Sequence, residues 1–149
     1  MPSQEPFVIR RACADDIKRG HLDLLAQLTV VGEINPERYA ATMAHMSDTG
    51  SFVYVVHDTE DDLVVASATL LVEQKLIHSC ACVGHIEDVV VGAQCRGKGL
   101  GQKLINHLVE AASEHNCYKV ILDCSADNAG FYEKCGFVKK ELQMRKDCR

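Results

Sequence analysis

The order of apolar and polar positions predicts ten elements of secondary structure. Short apolar or alternating runs predict strands over residues 7–9, 51–57, 63–73, 82–91, 119–122 and 137–144. Apolar residues at helical spacing predict helices over residues 15–29, 36–46, 99–115 and 128–134. The order β-α-α-β-β-β-α-β-α-β combines hairpins in the middle with helical crossovers later. It predicts an α/β (α+β) fold with a mixed central sheet flanked by helices on both faces.

Turn and cap residues support several of these boundaries. Asn35 followed by Pro36 is a strong helix start, because Asn caps the first turn and proline is tolerated there. Asp15 is a candidate cap for the first helix, and Gly136 is a candidate C-terminal stop for the last one. The acidic run over residues 58–62 is typical of a solvated hairpin tip.

Composition narrows the class of protein. A chain of 149 residues with 47% hydrophobic residues is expected to form a single domain, residues 1–149, with its own core. The formal net charge of −5 argues against a nucleic-acid-binding module. Because the first residues carry no basic or apolar signal, and no apolar run reaches membrane-spanning length, we expect a soluble cytoplasmic protein without a membrane span.

The eight cysteines do not indicate a metal site. Only Cys80 and Cys82 are close in sequence, and no second pair with zinc-ligand spacing accompanies them. In a cytoplasmic chain we expect most of these residues to be reduced and to behave as small apolar side chains. A disulfide, including one between subunits, stays open at this point.

A glycine-rich loop joins the strand over residues 82–91 to the longest helix. It contains Gly97, Gly99 and Gly101. Arg96 precedes the first glycine, and Lys98 lies between the first two. Unpaired N–H groups and the helix dipole favour an anion at such a helix start. The loop fits neither common nucleotide motif: Gly99 occupies the Ser/Thr position of a P-loop, and Gln102 occupies the last glycine position of a dinucleotide fingerprint.

Carboxylates interrupt two apolar strands. Glu87 and Asp88 lie within the run that precedes the glycine loop, and Asp123 ends the following apolar run. Strict alternation sends Glu87 and Asp88 to opposite faces of their strand. Charges that enter buried strands are costly unless they are paired or functional. The alternative is that both residues mark a solvated strand entrance.

The loop matches the pattern [QR]-x-x-G-x-[GA] after a strand, and in this respect the chain resembles the general-control-related N-acetyltransferase (GNAT) superfamily. Residues 128–137, with Tyr132 before Gly136 and Phe137, look like the terminal signature of that superfamily. Residues 28–32, 75–78 and 116–119, together with the three acids, resemble the glucosamine 6-phosphate N-acetyltransferases within it. This narrower similarity spans nearly the whole chain.

The resemblance implies an enzyme that transfers the acetyl group of acetyl-CoA to the 2-amine of D-glucosamine 6-phosphate. The products are CoA and N-acetylglucosamine 6-phosphate, on the route to UDP-N-acetylglucosamine. Attack of the amine is direct, without a metal or a covalent enzyme intermediate. The resemblance also implies a homodimer whose active sites use residues of both subunits.

The resemblance assigns roles to individual residues. Asp123 would orient the amine, Tyr132 would stabilise the leaving thiolate, and Glu87 and Asp88 would act where sugar meets acetyl group. The cofactor-binding positions would be Val89, Val90, Val91, Arg96, Gly97, Lys98, Gly99, Leu100, Gly101, Gln102 and Tyr132. The substrate-binding positions would be Thr29, Lys75, Leu76, Ile77, His78, Glu87, Asp88, Val89, Asp123 and Arg145.

Two alternatives remain at the level of the sequence. One is an acetyltransferase of the same fold that acts on a protein or a polyamine, and the other is a non-catalytic acyl-CoA-binding sensor. The general base is open between a carboxylate, a backbone carbonyl and water. Several proposed ligands also have ordinary interpretations: Thr29 as a helix end, His78 as a surface residue on a strand end, and Lys75 and Arg145 as solvated cations.

Overall fold

A computed structural model describes residues 5–149 as a five-stranded sheet in the order β1-β2-β3-β4-β5. The strands are β1 (Phe7–Arg11), β2 (Ser51–Asp58), β3 (Leu63–Gln74), β4 (Cys82–Val91) and β5 (Cys117–Ile121). The first three neighbouring pairs are antiparallel, and β4 and β5 are parallel. The predicted mixed sheet is therefore confirmed.

Five helical segments accompany the sheet. They are α1 (His21–Ala26), α2 (Pro36–Asp48), the single turn α3 (Ile77–Cys80), α4 (Leu100–Glu114) and α5 (Ala129–Lys134). Three 3-10 turns cover Ala14–Arg19, Ala93–Cys95 and Ala126–Asn128. Across residues 5–149, none of the helices has both the length and the apolar content needed to cross a bilayer.

The core lies on both faces of the sheet. On one face, Leu104, Ile105 and Leu108 of α4 are fully buried against a cluster that includes Tyr54 and Val56 of β2. On the other face, Leu24 of α1 packs with side chains that include Val55, Val64 and Val90. Because neighbouring strand residues point to opposite sides, these two clusters confirm helices on both faces.

The prediction of one continuous helix over residues 15–29 is wrong, because the segment forms a 3-10 turn followed by the short helix α1. Gly20 lies in the left-handed region, with φ 77°, and separates the 3-10 turn from α1. Glycine adopts this conformation readily, so it ends the first turn where the apolar spacing alone indicated a longer helix. Asp15 is not the cap either: Cys13 is the N-cap, and its N–H donates to the carboxylate of Asp16 at 2.8 Å.

The predicted strand over residues 137–144 is also wrong for this chain. Residues 137–149 contain no strand, and Val138, Leu142 and Met144 are 78–89% exposed. Alternating apolar residues indicated a strand, but a strand forms only where a neighbouring strand accepts its backbone hydrogen bonds. Within the described chain this segment pairs with no strand of the sheet. Its apolar side chains are left uncovered.

The other boundaries agree with the sequence to within a few residues. Asn35 caps α2, since its Oδ1 accepts from the Arg38 N–H at 2.8 Å, although α2 continues two residues beyond the predicted end at Met46. Gly136 follows α5 with φ 92°, as expected of a residue that ends a helix.

Strand β4 pairs with β5 over only its first part. Their register begins with Cys82 opposite Cys117 and ends with His85 opposite Ile121, where β5 ends. The segment after β5 diverges from β4, so the edge of β4 that faces β5 is no longer covered by a strand from Ile86 onward. This divergence creates the space in which the predicted site residues meet.

Candidate functional site

A cavity of about 380 Å³ opens where β4 and β5 diverge. It is bounded by the end of α1, the second half of β4, the segment after β5 and the start of α5. The lining residues are Leu28, Thr29, Ile86, Glu87, Asp88, Val89, Asp123, Cys124, Asn128 and Tyr132. The structure therefore brings together six residues that the resemblance assigned to the site: Thr29, Glu87, Asp88, Val89, Asp123 and Tyr132.

A bulge in β4 shapes the cavity. The register with β3 passes from Thr69 opposite Glu87 to Ser67 opposite Val90, which leaves one extra residue on β4. Asp88 in this bulge has φ 52°, an unusual conformation for a residue with a side chain. Strict alternation therefore fails here and does not assign Glu87 and Asp88 to opposite faces, and both residues line the same cavity.

The three carboxylates give the cavity a negative character. Burial raises the pKa of Glu87 above its usual value, and the neighbouring charges of Asp123 and Asp88 raise it further. His85 opposes this shift. Such a group of acids favours a positively charged or hydrogen-bond-donating ligand, and an amine is the simplest ligand of that kind.

Tyr132 enters the cavity from α5. Its ring packs edge-on against Phe131, with ring centres 4.9 Å apart, and against Phe137, with ring centres 6.1 Å apart. Burial, followed by the nearby Cys124, Cys135 and Asp123, raises the pKa of Tyr132. The hydroxyl is therefore a neutral proton donor at pH 7, fixed in position by aromatic neighbours.

The glycine loop continues directly from β4 into α4. Gly97 and Gly99 have φ values of 85° and 75°, so the loop uses a backbone conformation that other residues adopt at a cost. α4 then starts at Leu100 and runs for 15 residues. Its first-turn N–H groups have no acceptor within the helix, and they point out of its N-terminus. This arrangement favours a bound anion.

Close packing joins this loop to Tyr132. A Cβ on Gly101 would lie 3.1 Å from Phe131 Cζ and 3.3 Å from Val91 Cγ2. Gln102 Nε2 donates to the backbone oxygen of Lys134 at 3.3 Å. Gly101 and Gln102 therefore hold α5 against the start of α4, so the tyrosine and the anion-binding loop keep a fixed relationship.

The two cationic side chains of the loop, Arg96 and Lys98, each contact another group of the protein. Arg96 Nε donates to the backbone oxygen of Val91 at 3.3 Å, and the Lys98 ammonium lies 5.4 Å from the centre of the Phe7 ring. Each stays exposed. The main chain of the loop, rather than a pair of free cations, is thus its principal anion-binding feature.

The remaining predicted ligands do not line this cavity. Lys75 Nζ lies 3.1 Å from Glu73 Oε1, and the His78 ring stacks on Tyr118 with centres 4.1 Å apart. Leu76 and Ile77 are exposed beside them, at the turn between β3 and β4. Arg145, in the C-terminal segment, pairs with Asp147 at 2.7 Å.

Four lining residues were not among the predicted site positions: Leu28, Ile86, Cys124 and Asn128. Three of them are sequence neighbours of predicted residues, since Leu28 precedes Thr29, Ile86 precedes Glu87 and Cys124 follows Asp123. Their apolar or uncharged side chains carried no chemical signal. Adjacency to a predicted site residue is the pattern that could have found these three.

Comparisons with known proteins agree with this geometry. The family model described as the acetyltransferase (GNAT) family matches residues 21–137. The glucosamine 6-phosphate N-acetyltransferase of Arabidopsis thaliana is 38% identical over 95% of this chain and 97% of its own. That of Candida albicans is 43% identical over 93% of each chain.

The fold agrees with a solved relative as well. The crystal structure of the Arabidopsis thaliana glucosamine-6-phosphate N-acetyltransferase superposes with a TM-score of 0.92 at 36% identity, covering 96% of this chain and 99% of that one. The diverging strands, the glycine loop and the matched sequence lead to one assignment. This chain belongs to the GNAT family of acetyltransferases.

Proposed function

We propose that the protein transfers the acetyl group of acetyl-CoA to the 2-amine of D-glucosamine 6-phosphate. The observation that carries this proposal is the arrangement around β4: two carboxylates of this strand and Asp123, which follows β5, lie at an open cavity, and an anion-binding loop follows β4. The relatives named for this reaction, whose sequences align with almost the entire chain, support the choice of acceptor.

The residues of the loop fit a CoA pyrophosphate. Gly97 and Gly99 leave open space where a side chain would otherwise stand, since nothing lies within 4 Å of a Cβ built on either residue. The unpaired first-turn N–H groups of α4 supply donors for the phosphate oxygens. Val89 lines the acceptor cavity and Val91 follows it on β4 toward the loop, along the path for the pantetheine arm. When bound, acetyl-CoA supplies an activated thioester.

In the chemical step, the main task of this chain is to position the amine for attack on the thioester. A sugar amine is neutral in appreciable fraction near pH 7, so it is able to attack once held in line. Correct orientation alone contributes about 7–11 kcal/mol in the best cases. The backbone N–H of Val89, on the uncovered edge of β4, is a candidate donor to an oxygen that gains negative charge. The Tyr132 hydroxyl is the proton donor for a departing thiolate.

The acids have distinct roles in this proposal. Asp123 lies across the cavity from β4 and orients the amine by accepting a hydrogen bond from it. Glu87 and Asp88 hold the sugar beside the reacting group. The proton of the attacking amine passes to Asp123, directly or by way of water.

A phosphate group calls for cations, and the residues of the described chain that line the cavity include no Lys or Arg. We therefore propose that the working form is a homodimer, in which Lys75, His78 or Arg145 of one subunit serves the cavity of the other. The exposed apolar residues of the C-terminal segment support this, as do Leu76 at 89% and Ile77 at 59% exposure. A groove of about 270 Å³ beside the open edge of β5 offers a docking surface.

We also propose a cytoplasmic location, in keeping with a sugar phosphate and a CoA thioester as substrates.

The test is a CoA-release assay with matched acceptors. Purified protein with acetyl-CoA should release CoA with glucosamine 6-phosphate, and much more slowly with glucosamine, spermidine or a lysine peptide. Mass spectrometry should identify N-acetylglucosamine 6-phosphate. Equal rates with every amine would overturn the assignment of the acceptor. Tight CoA binding with no turnover of any amine would instead support an acyl-CoA sensor.

A further inference from the structure

Gln27 joins the two halves of the site, although nothing in its sequence position indicates this. It is the C-cap residue of α1. The next two residues, Leu28 and Thr29, line the acceptor cavity. Whatever fixes Gln27 therefore also fixes one wall of the cavity.

The side chain of Gln27 reaches the start of the cofactor loop. Its Oε1 accepts a hydrogen bond from the backbone N–H of Ala93 at 3.0 Å. Ala93 lies just beyond the end of β4 and begins the turn Ala93–Cys95, which leads into the glycines. This contact joins two segments that are 66 residues apart in sequence.

The rest of α1 is held firmly, so the contact acts between two well-defined elements. At its first residue, His21 hydrogen-bonds to the Ser67 hydroxyl of β3 at 2.9 Å. In its middle, Leu24 is buried, and its Cδ1 lies 3.6 Å from where a Cβ on Gly92 would stand. At its end, the Gln27 N–H donates to the Leu24 oxygen at 3.0 Å.

We propose that Gln27 is a positioning residue that sets the acceptor wall of Leu28 and Thr29 against the acetyl-CoA loop. It touches neither substrate in this proposal. Its side chain fixes the start of the cofactor loop by accepting the hydrogen bond from the Ala93 N–H. Its main chain, at the end of α1, fixes the direction in which Leu28 and Thr29 leave the helix. The inference rests on the proposed function, because it assigns acetyl-CoA and the sugar phosphate to the two sides that Gln27 connects.

The test is a double-mutant cycle with Gln27→Met and Ala93→Pro. Methionine keeps the length of the side chain and removes the acceptor. Proline removes the N–H donor, and it suits this position because Ala93 opens a helical turn and Gly92 before it is extended, with ψ 138°. The matched control is Gln94→Met, the same substitution at an exposed position in the same loop.

Each single variant should raise the Kd for CoA and the KM for glucosamine 6-phosphate by about 3- to 10-fold, the range expected for one hydrogen bond. The double variant should be no worse than either single variant, because both remove the same bond. The kcat and the thermal midpoint should change little, and Gln94→Met should resemble the unmodified protein in every measurement.

Additive effects in the cycle, or unchanged Kd and KM in Gln27→Met, would overturn the role of Gln27. A lowered thermal midpoint with unchanged Kd and KM would make the contact purely structural. If the unmodified protein does not acetylate glucosamine 6-phosphate, the proposed acceptor fails. The cycle in CoA affinity, measured by calorimetry without any acceptor, then still decides whether Gln27 and Ala93 are coupled.

Discussion

The Nδ1 atom of His21 lies 2.6 Å from the hydroxyl of Tyr39 in the interior of the protein. The second ring nitrogen, Nε2, lies 2.9 Å from the Ser67 hydroxyl, so both nitrogens have partners and the imidazole is 2% exposed. These two contacts join α1, α2 and β3. They also place a titratable group where its charged form would be poorly solvated.

Stability should therefore fall as the solution becomes acidic. Burial lowers the pKa of His21 below its usual 6.5, and the charge of Asp16 opposes the shift. The unfolded chain then binds a proton that the folded chain does not, so the free energy of unfolding decreases as pH falls below about 6.5, by at most about 1.4 kcal/mol per pH unit. Urea unfolding at pH 7.5, 6.5 and 5.5 measures this.

The matched variant is His21→Gln, which cannot titrate and is still able to bond to one hydroxyl. It should be less stable than the unmodified protein at pH 7.5, and the difference should shrink at pH 5.5. A constant difference across this range would show that His21 contributes no pH dependence.

Alanine at Gly99 should weaken CoA binding. Its φ of 75° costs about 1–2 kcal/mol for a residue with a side chain, and the loop would relax away from its anion-binding geometry. We expect a rise of roughly 10-fold in the Kd for CoA. The control is Gly130→Ala in α5, where φ is not positive and no atom lies within 4 Å of the added Cβ. Similar Kd changes in both variants would contradict the backbone argument.

Removing the Tyr132 hydroxyl should slow turnover without weakening CoA binding. Loss of a positioned proton donor lowers kcat by on the order of 10²-fold, and Tyr132→Phe keeps the ring packed against Phe131 and Phe137. Steady-state kinetics with glucosamine 6-phosphate measure the effect. Tyr54→Phe is the matched control, since Tyr54 loses the same oxygen in the core beside His107, away from the cavity. Equal losses in both variants would argue against a role for Tyr132 in proton transfer.

Neutralising Asp123 should lower the pKa of Glu87. Burial is the largest cause of the raised pKa of Glu87, followed by the charges of Asp123 and then Asp88. Asp123→Asn therefore removes the larger of the two like-charge effects. Carboxyl ¹³C NMR titration measures the shift directly. Asp127→Asn is the control, because Asp127 is not among the charges that act on Glu87. An unchanged Glu87 pKa in Asp123→Asn would mean that the two groups do not interact in solution.

A charge at Leu142 should separate the proposed dimer. Leu142 is 88% exposed in the single chain, so Leu142→Asp costs little stability unless another subunit covers it. We expect a change from dimer to monomer in sedimentation, together with a higher KM for the sugar phosphate. Lys140→Asp is the control on the same segment. A monomeric unmodified protein would contradict the dimer outright.

The elements with long, regular patterns were predictable from the sequence. α4 combines helical spacing with glycines before its start, and β4 is a largely apolar run despite Glu87 and Asp88, so both were found close to their observed bounds. Gly20 was missed as a break, because a lone glycine within an apolar pattern does not reveal its φ. The strand over residues 137–144 was wrong, because a strand depends on a neighbour that the pattern of its own residues does not describe.

The candidate site residues with ionisable side chains could be predicted from the sequence. The features that depend on backbone conformation or on main-chain hydrogen bonds could not. Glu87, Asp88, Asp123 and Tyr132 meet in one cavity, as the resemblance implied. The bulge at Asp88, beside this cavity, has no marker in the sequence. Gln27 carried no signal either, because its partner is a main-chain N–H of a residue distant in sequence.

The early end of the ladder between β4 and β5 has an evolutionary consequence. Because two main chains leave each other at His85 and Ile121, the opening is a property of the sheet and not of particular side chains. In the proposed reaction, substitutions around the rim would alter which amine enters, while the main-chain edge of β4 stays the same. A few substitutions at lining positions such as Leu28 or Cys124 would therefore change the preferred acceptor without a change in the sheet.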